Sequence, residues 1–190
     1  FLVWLPKYRR LGEVGGGWPG TFFDVRAAAH WFWTTWGALI DPDRGFLAGH
    51  SAGAHLALWL NGSQSGLATR VQDSAKCWRQ VLALAPITDL EDYARGQAAC
   101  QLMGSELLAS AKGITPASLS PQPTQMVAEV TMFYSPLDAI VPPEQSLVFG
   151  AAADCELIEL SQAGHFDFVH PETAAGRRVM RFFKGLGHGP

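Results

Sequence analysis

Short apolar runs alternate along the chain with longer stretches in which apolar residues recur every three or four positions. Runs of the first kind predict buried strands, and stretches of the second kind predict amphipathic helices. The predicted strands are 1–4, 45–49, 80–85, 129–134 and 156–160. The predicted helices are 21–36, 52–60, 143–153 and 171–183. This alternation indicates an α/β fold, with a mostly parallel sheet and helices on both faces.

Residues that favour helix ends support these bounds. Thr21 or Asp24 is expected to cap the first helix, because short polar side chains accept hydrogen bonds from the first free amides. Pro42 follows the end of that helix, and Pro143 and Pro171 stand at the start of the last two. Proline suits a helix start because its missing N–H would have no partner there.

The chain of 190 residues is long enough for one compact domain with its own core. With 48% hydrophobic and 16% charged residues, its composition is that of a well-buried globular protein. The helical pattern loosens over 89–125, where glycines and prolines interrupt short helical pieces. We therefore expect a single domain, 1–190, with a small cap-like insertion at about 89–125.

Composition disfavours several classes of function. The net charge is −3 and no basic run is present, so a nucleic-acid partner is not expected. The apolar stretch 27–40 is too short and too interrupted to span a membrane. No metal-ligand cluster, phosphate loop or nucleotide fingerprint is present, so neither a metal nor another cofactor is expected.

Cysteine usage and the opening residues bear on location. Three cysteines without Cys-x-x-Cys spacing argue against a zinc knuckle and a disulfide framework. The chain opens with Phe-Leu-Val-Trp-Leu, without a charged start followed by a cleavage site, so no signal peptide is indicated. A cytoplasmic protein is the resulting expectation.

The segment 49–53 reads Gly-His-Ser-Ala-Gly, directly after a predicted strand and directly before an alanine-rich helix. This is the context of a nucleophile elbow, a strained turn that presents Ser51. Gly49 and Gly53 are expected to let the chain pass closely on either side. The Ala52 amide, at the start of the helix, is expected to stabilise developing negative charge. A chance match is the alternative, since 20 of the 190 residues are glycine.

A serine hydroxyl needs a general base, and histidine is the usual one. His165 follows the last predicted strand and precedes the last helix. Loops at the carboxyl ends of parallel strands gather at one edge of the sheet, which is the edge that also carries Ser51. His165 is therefore the predicted base. The other histidines fit packing, capping or terminal positions: His30, His50, His55, His170 and His188.

The same argument selects the acid that orients the histidine. Asp138 follows the predicted strand 129–134, again at a carboxyl end. A carboxylate there can accept the imidazole N–H and hold its tautomer. The rivals are Asp89, after the strand 80–85, and Asp167, beside the histidine. The chain order serine, aspartate, histidine is the order found in α/β-hydrolases.

Three segments carry a family resemblance and together extend over nearly the whole chain. They are 7–12 with 15–21 and Asp24, then 49–57, then Asp138 with 141–146 and 164–166. With these motifs the chain resembles the esterase and lipase branch of the α/β-hydrolase superfamily, and is similar to small carboxylesterases and kynurenine formamidases. The resemblance implies an α/β-hydrolase fold and a serine hydrolase.

The chain also departs from that family. Members of this branch carry a His-Gly-Gly motif after their third strand, and the motif is absent here. By the resemblance, 1–5 corresponds to the fourth strand, which implies an α/β-hydrolase fold lacking the first three strands. The strand before Ser51 would then have an open edge. The missing strands lie outside this sequence, or 1–4 pairs directly with that edge, or a second copy covers it. We favour a homodimer.

A second oxyanion donor must then come from elsewhere. The glycine-rich segment 15–17 and Trp18 can turn several amides toward one anion, which makes Gly17 and Trp18 the candidates. The alternative is a flexible turn before a helix. Loss of one donor costs about 10² to 10³ in rate in proteases, so slow catalysis is expected.

The sequence thus predicts hydrolysis of small carboxylic esters, with Ser51 as nucleophile, His165 as base and Asp138 as orienting acid. One alternative is amide or formamide hydrolysis of the kynurenine formamidase type. Another is a catalytically impaired fragment or a binding module that keeps the pocket of the fold.

Overall fold

The computed structural model describes residues 2–62, 78–93 and 113–186, with the single residues 97, 101 and 103. In this part of the chain four parallel strands form one sheet in the order β1-β2-β3-β4. The strands are β1 (Phe46–His50), β2 (Gln80–Leu84), β3 (Glu129–Tyr134) and β4 (Glu156–Glu159). Each lies within a residue or two of its predicted position.

Five α-helices have both of their ends within the described residues. They are α1 (Gly20–Trp36), α2 (Ala52–Asn61), α3 (Pro116–Leu119), α4 (Pro143–Ala153) and α5 (Ala174–Leu186). Short 3-10 turns occupy Gly37–Leu39, Pro42–Arg44 and Pro123–Gln125. The four long helices correspond to the four that the sequence predicts.

Helices cover both faces of the sheet, as predicted. Because alternate residues of a strand point to opposite faces, β2 and β3 contribute to two separate clusters. One face packs on α2 and α4 through Val81, Ala83, Met132, Leu58 and Phe149. The other face packs on α5 through Leu84, Phe133 and Val179. Helix α1 packs outside α2, where Phe22 meets Trp59 edge to face with ring centroids 4.7 Å apart.

The predicted strand at 1–4 is wrong for the described residues 2–4, which are not in a strand. The physical reason is the lack of a neighbouring strand, since β1 pairs with β2 alone in the described sheet. Leu2 and Val3 are largely exposed, and Trp4 instead stacks on Trp31 with ring centroids 4.8 Å apart. The suggestion that 1–4 slides over to pair with β1 is therefore also wrong.

Two helix starts differ from the prediction. Helix α1 begins at Gly20 without a side-chain cap, because Thr21 and Asp24 bind the preceding loop instead. Thr21 Oγ1 accepts the Gly17 amide at 2.9 Å, and Asp24 forms an ion pair with Arg9 at 2.7 Å. Helix α5 begins at Ala174 rather than at 171, where the chain is still in a turn.

Part of the predicted insertion at 89–125 lies outside the described residues, since 94–96, 98–100, 102 and 104–112 are not among them. Its last part packs on the core: Leu119 of α3 is 1% exposed and joins the cluster around Phe22. The Asn61 side chain then fixes the chain that enters β3, because its Oδ1 accepts the Ala128 amide at 2.9 Å.

Candidate active site

Ser51 lies in the turn between β1 and α2 with φ 55° and ψ −120°, a backbone conformation that L-residues rarely adopt. Its amide donates to the Leu84 carbonyl of β2 at 2.9 Å, which holds the turn against the sheet. A Cβ placed on Gly49 would collide with the Gly53 carbonyl, whereas a Cβ placed on Gly53 would meet open space. Gly49 alone is therefore required by close approach, and the prediction for Gly53 is wrong.

The His165 and Asp138 side chains meet at the carboxyl end of the sheet. His165 Nδ1–H donates to Asp138 Oδ2 at 2.7 Å, and both side chains are almost fully buried, with 4% and 1% exposed. His165 stands in the loop after β4 and Asp138 in the loop after β3. This pairing leaves Nε2 as the ring nitrogen that can act as a base.

The Asp138 carboxylate is held from its other side. Its Oδ1 accepts the amides of Ile140 at 2.8 Å and Val141 at 2.9 Å. Two main-chain donors thus fix one oxygen, while the second oxygen faces His165. Such a carboxylate can orient an imidazole because its own rotation is restrained.

The rival carboxylates serve the turns in which they lie. Asp89 Oδ1 accepts the amides of Glu91 and Asp92, and Asp167 Oδ2 accepts the Gly164 amide at 2.8 Å. No hydrogen bond joins either carboxylate to an imidazole in the part of the chain that the structure describes.

The turn of Ser51 touches the loop of His165 through His50, the last residue of β1. His50 Nε2–H donates to the His165 carbonyl at 2.8 Å, and the two imidazole rings have centroids 4.6 Å apart. Ser51 and the His165–Asp138 pair are thereby brought to one edge of the sheet. No hydrogen bond from Ser51 Oγ to His165 is present between these two described residues.

A family model described as alpha/beta hydrolase fold matches residues 2–156. The chain belongs to this α/β-hydrolase family. No curated protein matches the sequence.

Solved structures agree with the fold of this α/β-hydrolase. Esterase 2 of Thermogutta terrifontis, phosphoramylated by tabun, aligns with a TM-score of 0.70 and 18% identity, over 95% of this chain and 68% of that one. Its propionate-bound form gives 0.71 and 20%, over 95% and 68%. An acetyl ester-xyloside bifunctional hydrolase from Caldicellulosiruptor lactoaceticus gives 0.67 and 20%, over 95% and 70%.

The amides predicted to stabilise an oxyanion differ in their surroundings. Ala52 is the first residue of α2, where a helix has no partner of its own for its N–H. The Gly17 amide already donates to Thr21 Oγ1, which counts against it as a free donor in this α/β-hydrolase. The Trp18 ring packs edge to face on Phe22, with centroids 5.1 Å apart.

Sequence patterns did not reveal the side chain that ties the loop after β2 to α4. The buried Gln145 Oε1 accepts the amides of Thr88 and Asp89, each at 2.8 Å. Gln145 lies in the first turn of α4, a few residues after Asp138. No signal in the sequence marks this contact, because a glutamine near a helix start is usually a surface residue.

Burial shifts the pKa of several groups near the site. Desolvation lowers the pKa of His50, and burial lowers the pKa of His55 to about 4. His55 Nδ1–H donates to the Ile87 carbonyl at 3.0 Å. Burial and then the negative charge of Asp138 raise the pKa of Tyr93. Both histidines are therefore neutral at pH 7.

Among the described residues no group of three or more histidine, cysteine or acidic side chains could hold a metal ion. Cys155 is a free thiol whose pKa burial raises to about 11. Within the same residues, no helix is long and apolar enough to cross a membrane.

Proposed function

We propose that this α/β-hydrolase is a serine esterase that cleaves small carboxylic esters with Ser51, His165 and Asp138. The observation that carries the proposal is the buried hydrogen bond from His165 Nδ1 to Asp138 Oδ2, in loops at the same sheet edge as Ser51. An imidazole held in this way has its Nε2 free to accept a proton, and the strained backbone at Ser51 is typical of a nucleophile elbow.

In the acylation step, Ser51 Oγ attacks the ester carbonyl carbon while His165 Nε2 takes the hydroxyl proton. The carbonyl oxygen becomes an oxyanion, and Asp138 stabilises the imidazolium that forms. When the intermediate collapses, the C–O bond to the alcohol breaks and His165 returns the proton to the leaving oxygen. Water activated by His165 then hydrolyses the acyl-serine ester and releases the acid.

The Ala52 amide is the proposed first donor to the oxyanion, because it lies at the positive end of α2 directly after the nucleophile. The second donor is proposed to be the Trp18 amide, since the Gly17 amide is used by Thr21. One donor fewer would lower kcat by about 10² to 10³, so we expect modest turnover if Trp18 does not contribute.

Small apolar acyl groups suit the surroundings of the proposed site. Phe166 beside His165, and Leu137 and Ile140 on either side of Asp138, are each about half exposed or more. Apolar side chains that stay exposed beside a polar site are typical of a binding surface for apolar ligands. Two structures of the Thermogutta terrifontis esterase, one bound to propionate and one to butyrate, point in the same direction.

The test is covalent labelling of the full chain with a fluorophosphonate, followed by rates on p-nitrophenyl acetate and on an aromatic formamide. One structural neighbour is phosphonylated by sarin, which makes this probe chemistry appropriate. We expect one label per chain, its loss in Ser51→Ala, and faster cleavage of the ester than of the formamide. Faster cleavage of the formamide would identify an amidase, and an unlabelled wild type would leave a binding module.

A further inference from the structure

His50 occupies an unusual position between the proposed nucleophile and the proposed base. It is the last residue of β1 and is bonded directly to Ser51, so its Cα lies about 3.8 Å from that of the serine. Its side chain reaches across the sheet edge and donates Nε2–H to the His165 carbonyl at 2.8 Å. A single side chain therefore links the main chain of one proposed catalytic residue to that of the other.

The hydrogen bond fixes the chemical state of His50. A carbonyl oxygen can only accept, so Nε2 must carry the hydrogen. Desolvation lowers the pKa of His50 and favours the neutral ring, with Nδ1 unprotonated. A neutral ring adds no positive charge beside the imidazolium that would form on His165.

The His50 side chain contacts several residues of the loop that carries His165. The His50 ring lies near the rings of His165, Phe166 and Phe168, at centroid distances of 4.6, 5.9 and 6.4 Å. The turns of the loop use other groups: Gly164 donates to Asp167 Oδ2, and the Asp167 amide donates to the Gly164 carbonyl. His50 thus satisfies a carbonyl that these loop turns leave without a donor.

We propose that His50 is a positioning residue, which holds the main chain of His165 against the nucleophile turn while Asp138 fixes its ring. Two tethers then act on His165, one on its carbonyl and one on Nδ1. With both in place, the main chain and the ring of His165 are held beside the turn that carries Ser51. The kinetic part of this inference rests on the proposed function, whereas the tethering part is independent of it.

Two variants separate the hydrogen bond from the ring. His50→Gln keeps an amide donor near the place of Nε2, and His50→Phe keeps the ring contacts but has no donor. His50→Leu serves as a second variant without a donor, should phenylalanine prevent folding. Urea unfolding and near-ultraviolet circular dichroism establish that each variant is folded.

The first measurement is proton NMR of the His165 Nδ1–H that binds Asp138, with its rate of exchange with water. The second is kcat and KM on p-nitrophenyl acetate. For His50→Phe we expect the resonance to broaden or exchange faster, and kcat to fall about 10- to 100-fold with little change in KM, because small displacements of a base cost this much. His50→Gln is expected to restore both.

The inference is overturned if the donor-free variants keep the wild-type resonance and kcat. It is also overturned if His50→Gln is as impaired as His50→Phe, since the ring rather than the hydrogen bond would then matter. If the wild type takes no fluorophosphonate label but the resonance responds as expected, the esterase proposal fails and the tether stands. These results therefore distinguish the two failures.

Discussion

His165 donates Nδ1–H to Asp138 Oδ2 at 2.7 Å, and both side chains are almost fully buried. The hydrogen bond joins the loop after β3 to the loop after β4, two strands that are neighbours in the sheet. Removing one partner of so buried a pair lowers the stability of the fold, because the other partner stays buried without its hydrogen bond.

Asp138→Asn keeps the size of this side chain and a hydrogen-bond partner for the ring, so it should act on catalysis more than on folding. The asparagine Oδ1 can still accept the Ile140 and Val141 amides, while its amide group faces His165 and favours the wrong tautomer. We expect kcat to fall by about 10³ to 10⁴, as the equivalent change does in a serine protease. Steady-state kinetics on p-nitrophenyl acetate and urea unfolding measure the two effects separately.

Asp89→Asn is the matched control for that variant. Asp89 Oδ1 accepts the Glu91 and Asp92 amides, and an asparagine oxygen can do the same. We expect unchanged kcat. If Asp89→Asn were the inactive variant and Asp138→Asn the active one, the assignment of the acid would be reversed.

The two glycines of the elbow should respond in opposite ways to the same substitution. Gly49→Ala forces a methyl group into the Gly53 carbonyl, so we expect a loss of about 3 kcal/mol or more of stability. Gly53→Ala meets no atom within 4 Å, and alanine in a helix gains about 0.5 to 1 kcal/mol over glycine. Urea unfolding of both variants checks the difference, and equal destabilisation would contradict the geometry of the turn.

The sequence was a good guide wherever a residue's role depends on its immediate neighbours. The apolar runs of β2 and β3, and the glycine two positions before Ser51, are local signals, and both appear in the structure. Position at a strand end was enough to predict that Asp138 and His165 lie together, as their hydrogen bond shows, because parallel strands bring their carboxyl ends together.

The failures concern contacts made across the fold. Residues 2–4 have the composition of a strand, yet a strand needs a partner, and the local pattern carries no information about one. Thr21 is of a residue type that often caps helices, but its hydroxyl accepts the Gly17 amide instead. Gln145, which joins α4 to the loop after β2, is separated from Thr88 by 57 positions. Such long-range pairs leave no period in a single sequence.

Buried His55 should make stability depend on pH. Its pKa in the folded state is about 4, below the usual histidine value of 6.5, so between these two pH values the unfolded chain binds more protons than the folded chain. The free energy of unfolding therefore rises as the pH increases from about 4 to about 6.5, and it falls again when the pH is lowered through the same range. We expect the His55 contribution to differ by about 2 to 3 kcal/mol between pH 4.5 and pH 7.

His55→Asn is the control for this effect, since it removes the titrating ring but keeps a donor for the Ile87 carbonyl. Urea unfolding of both proteins at the two pH values gives the difference directly. The variant is expected to lose less stability on acidification than the wild type. The same pH slope in both would show that other groups cause the dependence.

Within the described residues β1 has a strand on one side only, and the last prediction is that its other edge pairs with a second copy of the chain. The Ser51 amide donates to the Leu84 carbonyl, and the Gly45 carbonyl accepts the Arg79 amide. The main-chain N–H and C=O groups of odd-numbered positions along β1 therefore point toward β2. Alternate residues of a parallel strand bond to opposite sides, which leaves 46, 48 and 50 pointing outward. Ala48→Pro would remove one outward N–H without breaking a bond to β2. Sedimentation velocity at micromolar concentration should find the wild type dimeric and this variant monomeric. A monomeric wild type would contradict the homodimer.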